Sequence, residues 1–232
     1  MDKFDPDIPE AIIFPGWGVP GELYWSSLED SSFASAEIFD YGFFEDEESP
    51  MKTPLYDEEI PPVIVGHSMG ALFAIRLALQ NLGAVHRLIL MNPFPKFVRD
   101  DTFPCGWDPS AVESMRSGLR SRPQTVLKSF LRMCAMPGKY PVELPERLNT
   151  QALDDGLRFI AETDLRQALP LLTDIPVFVL DADADRIVNP EMSRTLAEGC
   201  LAVRHTFSGW GHFMMLEHPQ ECAEKLREMA VL

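Results

Sequence analysis

The sequence predicts an α/β fold: a mostly parallel sheet of about six strands with helices on both faces, carrying an inserted helical cap. Three observations predict it. Short apolar or β-branched runs alternate with segments of helical periodicity. That alternation breaks between about residues 94 and 170, where the pattern is helical throughout. At Val63-Ile64-Val65-Gly66-His67-Ser68-Met69-Gly70, a strand pattern stops at a glycine-flanked serine and a helix pattern begins. The expected division is a core over 1–93 and 171–232 and a cap over 94–170, in a chain of 232 residues that is long enough to bury one sizeable core.

Taken in order, Ala11-Ile12-Ile13-Phe14 is a buried strand closed by the glycine-rich loop Pro15-Gly16-Trp17-Gly18. When a strand of this kind precedes a nucleophilic serine, its loop supplies one backbone donor for an oxyanion, and the residue after the serine supplies the other. The N–H groups of Trp17 and Met69 are therefore the candidate donors; the competing reading makes Trp17 plain core, where tryptophan usually sits. Residues 36–41 read as a second strand, and the acidic run Glu45-Asp46-Glu47-Glu48 as a solvated loop without metal-ligand spacing.

Gly66-His67-Ser68-Met69-Gly70 fits G-x-S-x-G, the sharp strand-to-helix turn that lifts a serine hydroxyl above a sheet and aims it at free helix N–H groups. A helix follows over 71–80, then a buried strand over 85–91 ending at Asn92-Pro93. His86 begins that strand, away from the carboxyl edge where ligands bind, and receives no role. Cap helices are expected over 111–119, 125–134 and 153–161, with Val126, Phe130, Met133 and Cys134 on one face, toward either a pocket or the core.

The sheet resumes over 175–180 and runs into Asp181, Asp183 and Asp185. Asp185, in the turn before Pro190, is the candidate to orient an imidazole, with Asp183 as the fallback. A calcium loop is excluded because Arg186 stands where that loop needs glycine. After a last strand over 202–207, the loop Ser208-Gly209-Trp210-Gly211 delivers His212 as the candidate general base, ahead of a helix from about Pro219. His205 lies within the strand and His218 at the helix start, so neither has the loop freedom to approach Ser68. The chain order Ser68, Asp185, His212 differs from the orders of the chymotrypsin and subtilisin folds.

A net charge of −16 argues against nucleic acid or an anionic membrane as a partner. That charge is unevenly spread: between residues 110 and 142, Arg116, Arg120, Arg122, Lys128, Arg132 and Lys139 face Glu113 alone. No apolar run approaches the ~20 residues of a membrane helix. The start Met1-Asp2-Lys3-Phe4-Asp5-Pro6-Asp7 fits neither a signal nor a transit peptide, so the expected location is cytoplasmic. Cys105, Cys134, Cys200 and Cys222 form no C-x-x-C pair, and no metal or other cofactor is expected.

The elbow, Gly16-Trp17-Gly18, Asp185-Arg186-Ile187-Val188 and Gly211-His212 resemble the α/β-hydrolase superfamily across nearly the whole chain. Within it, Thr125-Val126, Phe130-Leu131, Gly156-Leu157 and Asp164-Leu165-Arg166-Gln167 with Leu169 resemble the pimeloyl-acyl-carrier-protein methyl ester carboxylesterases of biotin synthesis. The resemblance implies a serine carboxylesterase that needs no cofactor. It implies acyl contacts at Trp17, Ser68, Met69, the turn Phe130, Leu131, Arg132, Met133 and Cys134, and His212. It also implies docking of an acidic carrier protein on Arg116, Arg120, Arg122, Lys128 and Arg132. Two departures stand out: Pro15 occupies the position where many relatives have His, and the short lead before the first strand implies a sheet lacking the family's first two strands. A general short-chain carboxylesterase or a carbon–carbon bond hydrolase would use the same three residues, whereas a non-catalytic receptor would not need them.

Overall fold

The computed structural model describes residues 10–28, 33, 35–44, 61–141 and 143–231; the acidic run at 45–48 and the opening segment 1–7 lie outside them. The strands are β1 (Ala11–Phe14), β2 (Ala36–Ile38), β3 (Val63–His67), β4 (Arg87–Met91), β5 (Val177–Ala182) and β6 (Val203–Phe207). They form one sheet in the order β2-β1-β3-β4-β5-β6, every adjacent pair parallel. β1, β3 and β5 are buried along their whole length and β4 in all but its first residue, which is why they read as continuous apolar runs and not as alternating ones. β6 closes one edge and none of its residues is fully buried.

The helices are α1 (Trp25–Leu28), α2 (Met69–Gln80), α3 (Pro109–Leu119), α4 (Pro123–Cys134), α5 (Thr150–Glu162), α6 (Pro190–Gly199), α7 (Met214–Glu217) and α8 (Pro219–Val231). β1 has β2 on one side and β3 on the other, so the winding direction reverses between β1 and β3. A crevice opens above the carboxyl ends of strands at such a point. The loop carrying Trp17 leaves β1 there, and Ser68 leaves β3 there.

Helices α3, α4 and α5 all lie between β4 and β5. The two ends of that segment meet: the Leu165 N–H donates to Pro95 O at 2.8 Å, and Lys96 pairs with Asp164 and Asp100. Arg166 reaches the same two carboxylates, which ties entry to exit.

Several boundaries differ from expectation for local reasons. The second strand stops at Ile38, because the Asp40 carboxylate accepts from the Gly42 N–H and Gly42 turns the chain at φ 70°. α3 and α4 start two residues earlier than their apolar spacing suggests, each with proline in the first turn, and Asp108 caps α3 through the Ser110 N–H. β5 runs to Ala182, which places Asp181 inside the strand. On α4 the buried residues are Leu127, Phe130, Leu131 and Cys134; Val126 and Met133 sit only half-buried at the margins.

Candidate active site

The serine turn is tight on both sides. A Cβ on Gly66 would lie 2.7 Å from Ala71 Cα, and one on Gly70 would lie 1.9 Å from Phe14 O, so only glycine lets α2 fold back over β3 and pass beside β1. Ser68 itself sits at φ 56° and ψ −120°, a conformation that side-chain-bearing residues rarely adopt. Its N–H is held by Met91 O at 2.9 Å. Met69 opens α2, so its N–H has no acceptor inside the helix. Among the described residues, no backbone carbonyl accepts from the Trp17 N–H.

His212 and Asp185 meet: the imidazole Nδ1 lies 2.7 Å from Asp185 Oδ2, and both side chains are almost wholly buried. The other Asp185 oxygen accepts from the N–H groups of Ile187 and Val188, which fixes the carboxylate. A carboxylate only accepts, so Nδ1 carries a proton, and in the neutral ring Nε2 is the bare nitrogen. The imidazole's recorded hydrogen bond is this one; none joins it to Ser68 among the described residues. Catalytic contacts of this kind often tighten only when substrate binds. His212 is held close to Ser68 all the same, because its backbone carbonyl lies 3.0 Å from Nε2 of His67, the residue before the serine, and the two rings stand 4.8 Å apart.

The other two acids of the D-x-D-x-D run have separate partners. Asp181 takes a bidentate contact from Arg204 and a hydrogen bond from Thr206. Asp183 accepts from Ser208 Oγ and the Gly209 N–H, pinning the turn that leads to His212. The fallback residue therefore supports the loop and not the ring.

Beside Ser68 lies a cavity of about 10 Å³, room for roughly one water molecule. Trp17, Phe94, Phe97, Trp107 and Phe130 wall it with aromatic surface, and Val112, Met115, Leu157, Ile160 and Ile187 complete an apolar lining in which Ser68 is the one polar side chain. Trp17 is both core and wall: it is 1% exposed, packs edge-on to Phe130 at 4.9 Å, and donates its indole N–H to Leu153 O on α5 at 2.9 Å.

Of the five consecutive residues expected to contact an acyl chain, only Phe130 reaches this cavity. Successive helical residues step around the axis, so Arg132 faces outward, Met133 is half-buried, and Leu131 and Cys134 point into the body. Met69 and His212 do not line the cavity either. Burial pushes the Cys134 thiol well above its ordinary range, with nearby Asp185 adding to the effect, so it stays protonated and is no rival nucleophile.

The basic residues of the segment 94–170 divide. Arg120, Arg122, Lys128 and Arg132 are exposed and enter no ion pair among the described residues. Arg116 differs from these four, because it makes a bidentate contact to Asp154 on α5 and a contact to Glu113. The described residues contain no metal-binding group of His, Cys, Asp or Glu, and no helix long and apolar enough to cross a membrane.

Three partners were not foreseen from sequence: Tyr24, His67 and Asn92. Asn92 follows β4, and its Nδ2 reaches His212 O at 3.1 Å while its Oδ1 accepts from the Ala182 N–H. A signal for it existed: a polar residue ends an otherwise apolar strand beside the serine strand, at the carboxyl edge.

Comparison with known proteins agrees with this geometry. A pimeloyl-[acyl-carrier protein] methyl ester esterase of Stenotrophomonas maltophilia (strain R551-3) is 28% identical over 94% of this chain and 92% of that protein. Among solved structures, an esterase from Exiguobacterium antarcticum and a bromoperoxidase from Bacillus anthracis each superpose with a TM-score of 0.80 at 17% identity, covering 96% of this chain and 91% of theirs. Two differently named activities on one backbone show shared fold, not shared chemistry. The model of the alpha/beta hydrolase family matches residues 10–225, nearly the whole chain, and the chain belongs to that family.

Proposed function

We propose that this protein is a serine carboxylesterase whose substrate is the methyl ester of an acyl chain held on a carrier protein, the pimeloyl ester being the leading candidate. The observation that carries the reading is the buried His212–Asp185 pair at 2.7 Å, locked beside a serine in a strained elbow. With Nδ1–H committed to Asp185, the bare Nε2 takes the Ser68 proton as Oγ attacks the ester carbonyl. The N–H groups of Trp17 and Met69 bind the resulting oxyanion, and losing one such donor costs about 3 kcal/mol of transition-state stabilisation. His212 then protonates the departing alkoxide and activates water to release the acid.

The apolar lining beside Ser68 favours a neutral ester group over a free carboxylate there, since a charge buried in it would find no partner. The segment 94–170 acts as the cap that supplies most of this lining, and its exposed basic side chains suit an acidic carrier. Support for the substrate comes from the relatives named for it, at 26–28% identity. The test is hydrolysis of a carrier-linked pimeloyl methyl ester, read as free acid formed, by the parent and by Ser68→Ala. Conversion by the parent and its loss in the variant are expected; an inert parent or an active variant would refute the reading.

A further inference from the structure

Two groups flanking the candidate reaction centre are joined by one buried chain of hydrogen bonds. The Gly16 N–H donates to Tyr24 Oη at 2.9 Å, Tyr24 Oη lies 2.7 Å from His67 Nδ1, and His67 Nε2 lies 3.0 Å from His212 O. The direction of each bond follows from the carbonyl at the end. A carbonyl only accepts, so His67 Nε2 carries the proton, Nδ1 is bare, and the Tyr24 hydroxyl donates to it while accepting from Gly16. Burial holds the His67 imidazole neutral, as this pattern requires. Tyr24 is 1% exposed and His67 2% exposed, so water does not substitute for either.

We propose that Tyr24 and His67 are positioning residues for ester hydrolysis, setting the oxyanion loop and the base loop in register with each other across the serine. The inference rests on the esterase reading above. Each end of the chain terminates on the backbone, next to a group that reacts. Gly16 immediately precedes Trp17, the proposed oxyanion donor, and the other end is the carbonyl of His212, the proposed base. His67 also precedes the nucleophile in sequence, so one side chain references all three segments. Asn92 shares the His212 carbonyl, which makes the hold on the base loop twofold, whereas Tyr24 is the only side chain on the Gly16 N–H among the described residues.

The expected consequence is therefore larger on oxyanion geometry than on the base. Tyr24→Phe keeps the buried ring and removes only the hydroxyl. It should lower kcat for a methyl ester about tenfold, less than the ~10²-fold that a 1 Å misplacement costs. KM should stay within about twofold and the pH midpoint of kcat/KM should be unchanged, while the melting temperature falls by a few degrees because the Gly16 N–H and His67 Nδ1 lose their buried partner. His67→Gln keeps a donor at the Nε2 position and should retain more kcat than His67→Leu, which keeps neither bond; that pair decides the matter on the same readouts if Tyr24→Phe does not fold. Parent-like kcat in Tyr24→Phe, or equal kcat in His67→Gln and His67→Leu, overturns the proposal. Ser68→Ala separates the two levels: an active Ser68→Ala refutes the esterase reading, whereas an inactive one beside a fully active Tyr24→Phe refutes the positioning chain alone.

Discussion

His67 is a neutral imidazole sealed between a tyrosine and a carbonyl, and that state makes the protein sensitive to acid. Burial depresses its pKa well below 6.5, with the neighbouring His212 reinforcing the shift. Below pH 6.5 the unfolded chain binds a proton at this position that the folded chain refuses. Stability is therefore fully present above 6.5 and falls as pH drops toward the depressed folded value, by roughly 1.4 kcal/mol per pH unit. His67→Gln cannot titrate, so its urea midpoint should change less than the parent's between pH 7 and pH 5; matching slopes would show that the imidazole is not held neutral. Ser68, Asp185 and His212 could be singled out from sequence because each sits in a short pattern at a strand end, and the structure brings the last two together. Tyr24 and Asn92 were not, since a hydrogen bond spanning 43 residues or 120 residues leaves no local pattern to read.

α4 is an element with two chemistries. Its buried stripe seats Phe130 over the cavity beside Ser68, while Lys128 and Arg132, one turn apart, face outward without ion-pair partners among the described residues. If that outer face receives an acidic carrier, Lys128→Glu with Arg132→Glu should raise KM for a carrier-linked ester about tenfold at low salt and leave a p-nitrophenyl ester within twofold. Added salt should narrow the gap, because exposed charges are screened beyond about 10 Å at 0.1 M. Equal losses on both esters would remove the docking role. Periodicity in the sequence indicated α3, α4 and α5 but not which of their residues meet the cavity, because a 3.6-residue repeat fixes a face and leaves its neighbour open. The partner of Arg116 was hidden for a related reason: charge counting along a chain does not see Asp154, 38 residues away across α3 and α5. Asp181 was ambiguous until the strand's end was known, and Arg204 on the adjacent β6 then accounts for it.

At the scale of the molecule, the parallel order of the sheet was legible from alternating buried runs, and the crevice between β1 and β3 follows from that order. How far the crevice is closed was not, since a space of about 10 Å³ depends on aromatic rings from the loop after β1 and from the segment between β4 and β5. The left-handed backbone at Ser68 bears on the stability of the whole chain. A side-chain-bearing residue held there costs about 1–3 kcal/mol, more than the roughly 0.5–1 kcal/mol that glycine's extra freedom adds to the unfolded state. Ser68→Gly should consequently melt no lower than the parent by calorimetry while losing hydrolysis, and a clearly lower melting point would show that the turn is relaxed. Selection for thermal endurance alone would favour glycine here, so if Ser68 is the nucleophile proposed above, the bend that carries it trades durability for turnover.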